Sequence, residues 1–169
     1  KYKFALIRQF FGNIIIEVTP DELVEKERIA KPSIYLIEIN DKLPGFQYQN
    51  REWNFIQEYA IMNYEPRNEM IRKICSHFAE NKDKRVMINV ERIEHGEKLR
   101  DLIPGSIFLR GSDPQEIREI AVQNFINKKV NVLIATKIFS TGISINEIEV
   151  MILAAGGKSE VNTIQKQGR

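Results

Sequence analysis

The fold of this chain is decided by the stretch Asn131-Val-Leu-Ile-Ala-Thr-Lys-Ile-Phe-Ser-Thr-Gly-Ile-Ser-Ile145, which is followed by Val150-Met-Ile-Leu-Ala154 and Gly156-Gly-Lys-Ser159. Two short apolar runs each lead into a loop rich in Gly, Ser and Thr, and runs bounded in this way predict buried strands. In a sheet of parallel strands, such loops meet at the carboxyl ends of the strands, where phosphate ligands bind. We therefore expect this edge of the sheet to carry the function.

Upstream of this stretch, predicted strands and helices alternate. Apolar runs at Arg85–Val90 and Ser106–Leu109 predict two more strands. Predicted helices lie at Ile93–Leu102, from a cap at Asp113 to about Asn127, and at Glu160–Gly168. Such alternation implies parallel strands with right-handed crossovers. The predicted fold class is α/β, with a doubly wound, mainly parallel sheet and helices on both faces.

Two helices are predicted before the first of these strands, at Arg51–Met62 and Pro66–Ala79. Asn40–Asn50 contains Pro44 and Gly45 and is interpreted as a linker. We therefore predict a strand–helix–strand connector over residues 1–48 and a main domain over residues 49–169. The alternating pattern of Ser33–Ile39 predicts that the connector ends in a half-buried strand.

Side-chain patterns predict which residues enter the core. Asp113-Pro-Gln-Glu116 gives a capping residue, a proline in the first helical turn and an acidic third residue. The helix that it opens is expected to bury Ile117, Ile120, Ala121 and Phe125. Cys75 shares an apolar stripe with Ile71, Ile74 and Phe78, which favours a buried thiol over a reactive one.

The composition is that of an ordinary globular protein and argues against a membrane-spanning or metal-binding chain. The 169 residues are 43% apolar and 28% charged, as in a globular protein with a full core. The net charge of +2 permits contact with nucleic acid without indicating it. A single cysteine and no metal-ligand spacing predict a reducing, cytoplasmic location and no metal site. No apolar run is long enough to cross a membrane. The chain starts without Met and stops at Arg169 inside a helical pattern, so we expect a fragment.

Gly157-Lys158-Ser159 follows a strand and precedes a helix, which is the setting of a phosphate-binding P-loop. The full P-loop pattern requires a glycine five residues before Gly157, where the chain has Ile152 within the predicted strand. The loop is therefore too short to wrap a diphosphate, and a self-contained kinase or NTPase is disfavoured. Lys158 and Ser159 either contact a phosphate or cap the helix.

Two other segments have the chemistry of phosphate contacts. Thr136 and Lys137 follow the end of a predicted strand and carry a hydroxyl and an ammonium group, both of which can bind a phosphate of a nucleic acid. Gly142 supplies flexible backbone that a nucleotide could approach closely. An ordinary strand-exit turn explains the same residues equally well. Gln165 and Arg169 are four apart, on one face of a predicted helix, where an arginine can neutralise the charge that builds up in phosphoryl transfer. A helix that simply ends in a solvated arginine has the same pattern.

In order and spacing, these segments resemble the second RecA-like domain of a superfamily 2 helicase. Val86-Met-Ile-Asn-Val-Glu-Arg-Ile-Glu-His-Gly-Glu-Lys-Leu99 resembles motif IV. Leu109-Arg-Gly-Ser112 with Glu116–Phe125 resembles motif IVa, Val132–Ile145 motif V, and Gln165–Arg169 the first half of motif VI. The wording Phe139-Ser-Thr-Gly-Ile-Ser144 is similar to that of UvsW-type phage DNA helicases, and Glu22–Pro32 resembles the connector found in the XPB-like and UvsW-type branch.

The resemblance implies a role for each matching residue. The phosphodiester backbone of one strand would be held by Asn89, Arg92, Gly111, Ser112, Thr136, Lys137 and Lys158. Gly142 and Ser144 would face ATP, although many relatives have an Asp in place of Ser144. Gln165 would approach the γ-phosphate and Arg169 would be the arginine finger.

The function implied is the C-terminal motor half of an ATP-dependent DNA helicase or translocase. ATP and Mg²⁺ would be bound mainly by a first RecA-like domain, because no G-K-T P-loop and no D-E-x-H/D box occur in this sequence. The fragment alone is predicted to be inactive. DNA, single-stranded or branched, would be bound without sequence preference, in a bacterial or phage-infected cell. The alternative is a non-catalytic doubly wound module that binds a phosphate ligand or a partner protein.

Overall fold

The computed structural model describes residues 22, 25–26, 33–39, 52–81, 83–136 and 147–156. The chain divides into two compact units, one of residues 1–35 with 159–169 and the other of residues 36–158. In the second unit, one sheet contains the strands β1 (Val86–Asn89), β2 (Ile107–Leu109), β3 (Val132–Ala135) and β4 (Val150–Leu153). The strand order is β2-β3-β1-β4, and every neighbouring pair is parallel. The predicted parallel sheet is confirmed.

Helices precede the sheet and connect its strands. The described helices are α1 (Trp53–Ile56, continuing as the π-helix Gln57–Met62), α2 (Glu65–Cys75, continuing as the π-helix Ser76–Glu80), α3 (Ile93–Leu102) and α4 (Gln115–Ile126). Pro66 lies in the first turn of α2, where its missing N–H leaves no helical hydrogen bond unmade. The predicted alternation of strand and helix is therefore confirmed from β1 to β3.

The core consists of two clusters, one on each face of the sheet. One cluster contains Cys75 of α2, Leu99 of α3 and Ile88 of β1, and the other contains Phe125 of α4 and Met87 of β1. Met87 and Ile88 are successive strand residues, so their side chains point to opposite faces. Helices therefore cover both faces, as predicted. Burial raises the pKa of the Cys75 thiol to about 12, which confirms a neutral core thiol.

Glycine has a low helix propensity, yet Gly96 lies within helix α3, and the structure shows why. A Cβ atom at Gly96 would lie 2.2 Å from Cε2 of Phe108, a separation that packed atoms do not tolerate. The glycine lets the Phe108 ring of β2 lie directly against α3. The Arg110 guanidinium lies 5.7 Å from the centroid of the same ring, a cation–π distance. This packing fixes β2 and the turn that follows it.

Two burial predictions for α4 are wrong. Ile117 and Ile120 are 54% and 62% exposed, whereas Ala121 and Phe125 are buried as expected. The helix turns a stripe containing Ala121, Val122 and Phe125 to the sheet, and one stripe of a helix with 3.6 residues per turn has room for only part of the apolar set. Ile117 lies at the margin of this stripe and Ile120 lies nearly opposite it.

The predicted strand at Ser33–Ile39 is also wrong, because this segment has no regular secondary structure. Tyr35 and Leu36 are 82% and 97% exposed. The segment pairs with none of the four strands of the described sheet, and an alternating pattern alone supplies no partner for backbone N–H and C=O groups. The helix predicted within the connector is described only at Glu22 and Glu25, which are helical. Among the described residues, no helix combines the length and the apolar character that crossing a membrane requires.

Candidate functional site

The carboxyl ends of the strands lie in one row at a single edge of the sheet. In register, Leu109 is paired with Ala135, Ala135 with Asn89, and Asn89 with Leu153. The residues that follow each strand therefore begin at the same edge. This arrangement brings five of the predicted site residues to that edge, namely Asn89, Arg92, Gly111, Ser112 and Thr136.

The exits of β2 and β3 are joined by hydrogen bonds. The Gly111 N–H donates to Thr136 Oγ1 at 3.1 Å, and the Thr136 N–H donates to the Leu109 carbonyl at 3.2 Å. Thr136 is only 8% exposed, while Gly111 and Ser112 are exposed. Among the described residues, no atom lies within 4 Å of where a Cβ atom at Gly111 would be, so none of them fills the space beside this glycine. The buried hydroxyl of Thr136 thus holds an exposed turn in place.

Asp113 was expected to cap α4, and the structure corrects this role. The helix begins at Gln115 with Pro114 before it, and no side chain caps it. The Asp113 carboxylate instead accepts a hydrogen bond from the Arg110 N–H at 2.7 Å, and the backbone N–H of Asp113 donates to the Arg110 carbonyl at 3.2 Å. The Asp113 side chain faces the preceding turn, where the Arg110 N–H satisfies one of its oxygens. Asp113 therefore closes the turn that carries Gly111 and Ser112.

The exits of β1 and β4 are joined through Asn89. Its carbonyl accepts the N–H groups of Ala154 and Ala155 at 2.9 and 3.0 Å, and its side chain is 5% exposed. The Arg67 guanidinium of α2 donates through Nη2 to the Ala154 carbonyl at 2.7 Å. These bonds fix the backbone at this end of β4, next to the buried Asn89.

Helix α1 packs directly on the exit of β4. A Cβ atom at Gly156 would lie 2.3 Å from Ile61 Cδ1 and 2.9 Å from Cη2 of Trp53. A larger residue at this position would require the Ile61 or Trp53 side chain to move. Trp53 is 44% exposed, so its ring covers Gly156 on one side and meets solvent on the other.

Arg92 is exposed and is held at the edge by α1. Its Nε donates to Gln57 Oε1 at 3.1 Å and its Nη2 donates to Asn54 Oδ1 at 2.6 Å. Gln57 in turn donates through Nε2 to Glu91 Oε2 at 2.6 Å. Sequence reasoning identified Arg92 but missed Asn54 and Gln57. The only signal for them was two amide side chains three residues apart on a predicted helix, which is a common pattern.

His95 is a second buried polar residue that the sequence did not single out. It is 1% exposed, and its Nε2 lies 3.0 Å from Asn68 Oδ1. Because Asn68 Nδ2 donates to the Met62 carbonyl at 2.8 Å, its Oδ1 is the acceptor and His95 Nε2 carries the proton. Burial lowers the pKa of His95 to about 4, with Arg67 and Lys98 adding to the effect. The imidazole is therefore neutral at pH 7.

Six predicted site residues lie outside the described part of the chain, and their roles stay predictions. They are Lys137, Gly142, Ser144, Lys158, Gln165 and Arg169. Over the described ranges, no group of three or more His, Cys, Asp or Glu side chains is placed to hold a metal ion.

The parallel sheet, with helices on both faces and its strand exits in one rim, defines an α/β domain of the RecA-like class. The family model for the helicase conserved C-terminal domain matches residues 67–169, which is more than half of the chain. The chain belongs to this family, and the predicted resemblance is confirmed.

Relatives with known names agree with the family. The ATP-dependent DNA helicase uvsW of Enterobacteria phage T4 is 29% identical over 170 residues, covering 94% of this chain and 32% of that protein. The pre-mRNA-splicing ATP-dependent RNA helicase PRP28 of Meyerozyma guilliermondii is 29% identical over 143 residues, covering 79% of this chain and 24% of that protein. The crystal structure of T4 UvsW matches with a TM-score of 0.56 at 24% identity, over 70% of this chain and 25% of that one. The chain thus spans a third or less of each of these proteins.

Proposed function

We propose that this chain is the C-terminal motor half of an ATP-dependent DNA helicase or translocase. It would grip the backbone of one strand and supply an arginine to ATP held by a first RecA-like domain. Family membership and the similarity to a phage DNA helicase support the class of enzyme. The observation that carries the proposal is the open, exposed turn at Gly111 and Ser112, held against Thr136 at the carboxyl edge of the sheet.

This edge has the groups that phosphodiester binding requires. Phosphate oxygens accept hydrogen bonds from hydroxyl, guanidinium and backbone N–H groups, and Ser112 and Arg92 are exposed there. The Gly111 N–H is already donated to Thr136, so Gly111 would serve by leaving room for the strand to approach. Asn89, Lys137 and Lys158 are proposed as further backbone contacts. Contacts of this kind read no base sequence and weaken with added salt.

The second part of the proposal concerns ATP. Gly142 and Ser144 would face the nucleotide, Gln165 would approach its γ-phosphate, and Arg169 would neutralise charge on the transferring group. Mg²⁺, carried with the nucleotide, would be held mainly by the first domain. Ile152 lies within β4, paired with Ile88, at the position where a P-loop requires glycine. A nucleotide site contained wholly in this chain is therefore unsupported.

Binding of single-stranded DNA tests the proposal. Fluorescence anisotropy of a labelled thymidine homopolymer is expected to show salt-sensitive binding by the 169-residue chain. Thr136→Val removes the acceptor for the Gly111 N–H, and we expect about tenfold weaker binding, close to the effect of one lost hydrogen bond. Ser106→Ala is the control, because the Ser106 hydroxyl bonds the Ile103 carbonyl at the opposite edge. The absence of binding by the wild type, or equal binding by the two variants, would contradict the proposal.

A further inference from the structure

The guanidinium group of Arg92 has one edge that is hydrogen-bonded to helix α1 and another edge that is exposed. The Nε and Nη2 atoms that donate to Gln57 and Asn54 share one edge of the planar group. The outer edge, formed by Nη1 and the second N–H of Nη2, has no partner among the described residues. This outer edge has the fork geometry that binds two phosphate oxygens at once.

Gln57 separates two opposite charges that are adjacent in sequence. It is 3% exposed, and it bonds the Glu91 carboxylate with its amide nitrogen and the Arg92 guanidinium with its oxygen. Because a carboxylate only accepts and a guanidinium only donates, these partners determine the orientation of the amide. Within the described residues, Glu91 and Arg92 form no ion pair with each other.

We propose that Gln57 is a positioning residue for strand binding. With Asn54, it holds the inner edge of Arg92, and it keeps the Glu91 carboxylate from pairing with that guanidinium. The outer edge of Arg92 is then presented to a phosphodiester in a fixed orientation. The inference rests on the proposed function, because it requires Arg92 to contact the nucleic-acid backbone.

Few side chains could replace Gln57 between a carboxylate and a guanidinium. A glutamate there would place a second carboxylate beside Glu91, and a lysine would place a second cation beside Arg92. A leucine of similar size releases both charged groups, so that Glu91 is free to compete with phosphate for Arg92. An unanchored arginine also loses more rotamer freedom when it binds.

The salt dependence of binding separates positioning from general stability. For single-stranded DNA, each phosphate contact contributes about 0.7 to the slope of log K against log salt. We compare the wild type, Gln57→Leu, Arg92→Gln and the double variant by anisotropy over a range of NaCl concentrations. Arg100→Gln is the matched control, because Arg100 is an exposed arginine near the C-terminal end of α3, paired with Asp101. Circular dichroism melting verifies that each variant is folded.

We expect Arg92→Gln and Gln57→Leu each to lower the slope by about 0.7, and the double variant to lower it no further. Asn54→Ala, at an exposed position, is expected to lower the affinity without disturbing the buried amide. If Arg92→Gln behaves like Arg100→Gln, or the wild type does not bind, the proposed function fails and this inference with it. If Arg92→Gln lowers the slope while Gln57→Leu and Asn54→Ala leave binding unchanged, the inference alone is overturned.

Discussion

At the scale of a single residue, His95 makes the stability of the fold depend on pH. Its pKa is lowered to about 4 by burial, with smaller contributions from Arg67 and Lys98, while the unfolded chain has the ordinary value near 6.5. Between these values the unfolded state binds a proton that the folded state does not. The free energy of unfolding must therefore fall as the pH falls through this window.

We expect the free energy of unfolding to drop by about 2 kcal/mol between pH 7 and pH 5. His95→Gln keeps a donor for Asn68 and removes the titrating group, so it is expected to abolish most of this drop. Urea unfolding at both pH values measures the difference. His77→Gln, at the other histidine, which is exposed, is the control variant. The glutamate with the strongly lowered pKa, Glu149 at about 2, titrates below this window. An undiminished drop in His95→Gln would exclude His95 as its source.

At the same scale, sequence reasoning predicted some of the site and missed the rest for a physical reason. Thr136 could be predicted because it follows an apolar run directly, and Gly111 because its segment resembles a helicase motif. Gln57, by contrast, acquires its meaning from Glu91 and Arg92, which are 34 and 35 residues away. A buried amide is defined by partners from other elements, and no local pattern indicates which partners those are.

Helix α4 shows what periodicity predicts at the scale of an element. Phe125 is fully buried against the sheet, whereas Ile120 is 62% exposed. We expect Phe125→Ala to cost about 3–5 kcal/mol of stability through the cavity that it leaves. Ile120→Lys is expected to change stability by less than about 0.5 kcal/mol, because it removes no buried contact. Urea unfolding at pH 7 compares the two, and a large loss in Ile120→Lys would mean that α4 faces the sheet differently.

Strands were predicted more accurately than helix faces. The runs expected at Arg85–Val90 and Asn131–Ala135 appear as Val86–Asn89 and Val132–Ala135. Parallel strands buried on both faces are apolar at nearly every position, so their limits are visible in the sequence. Ser33–Ile39 alternates like a strand yet forms none, because strand formation also requires a paired neighbour, and the pattern does not encode one.

At the scale of the whole molecule, the proposed function makes the described sheet one wall of a nucleotide cleft. The carboxyl ends of its strands carry a turn suited to a phosphodiester, while β4 has Ile152 where a P-loop glycine is needed. The net charge of +2 supplies little general attraction for DNA. Under the proposed function, strand binding would therefore come from the local geometry of the rim, and ATP hydrolysis would require a second domain.

Because the proposal assigns ATP binding mainly to another domain, we predict that the 169-residue chain hydrolyses no ATP, even with saturating single-stranded DNA. When the chain is produced together with a first RecA-like domain of the kind proposed, we expect DNA-stimulated hydrolysis. Arg169→Ala in that longer protein is expected to lower kcat by about 10³–10⁵, because the arginine would neutralise charge only in the transition state. DNA affinity without nucleotide is expected to be unchanged, since Arg169 is not among the residues assigned to the strand. A coupled phosphate-release assay measures both proteins. DNA-stimulated turnover by the isolated chain, or full activity in Arg169→Ala, would show that the nucleotide is held and activated in another way.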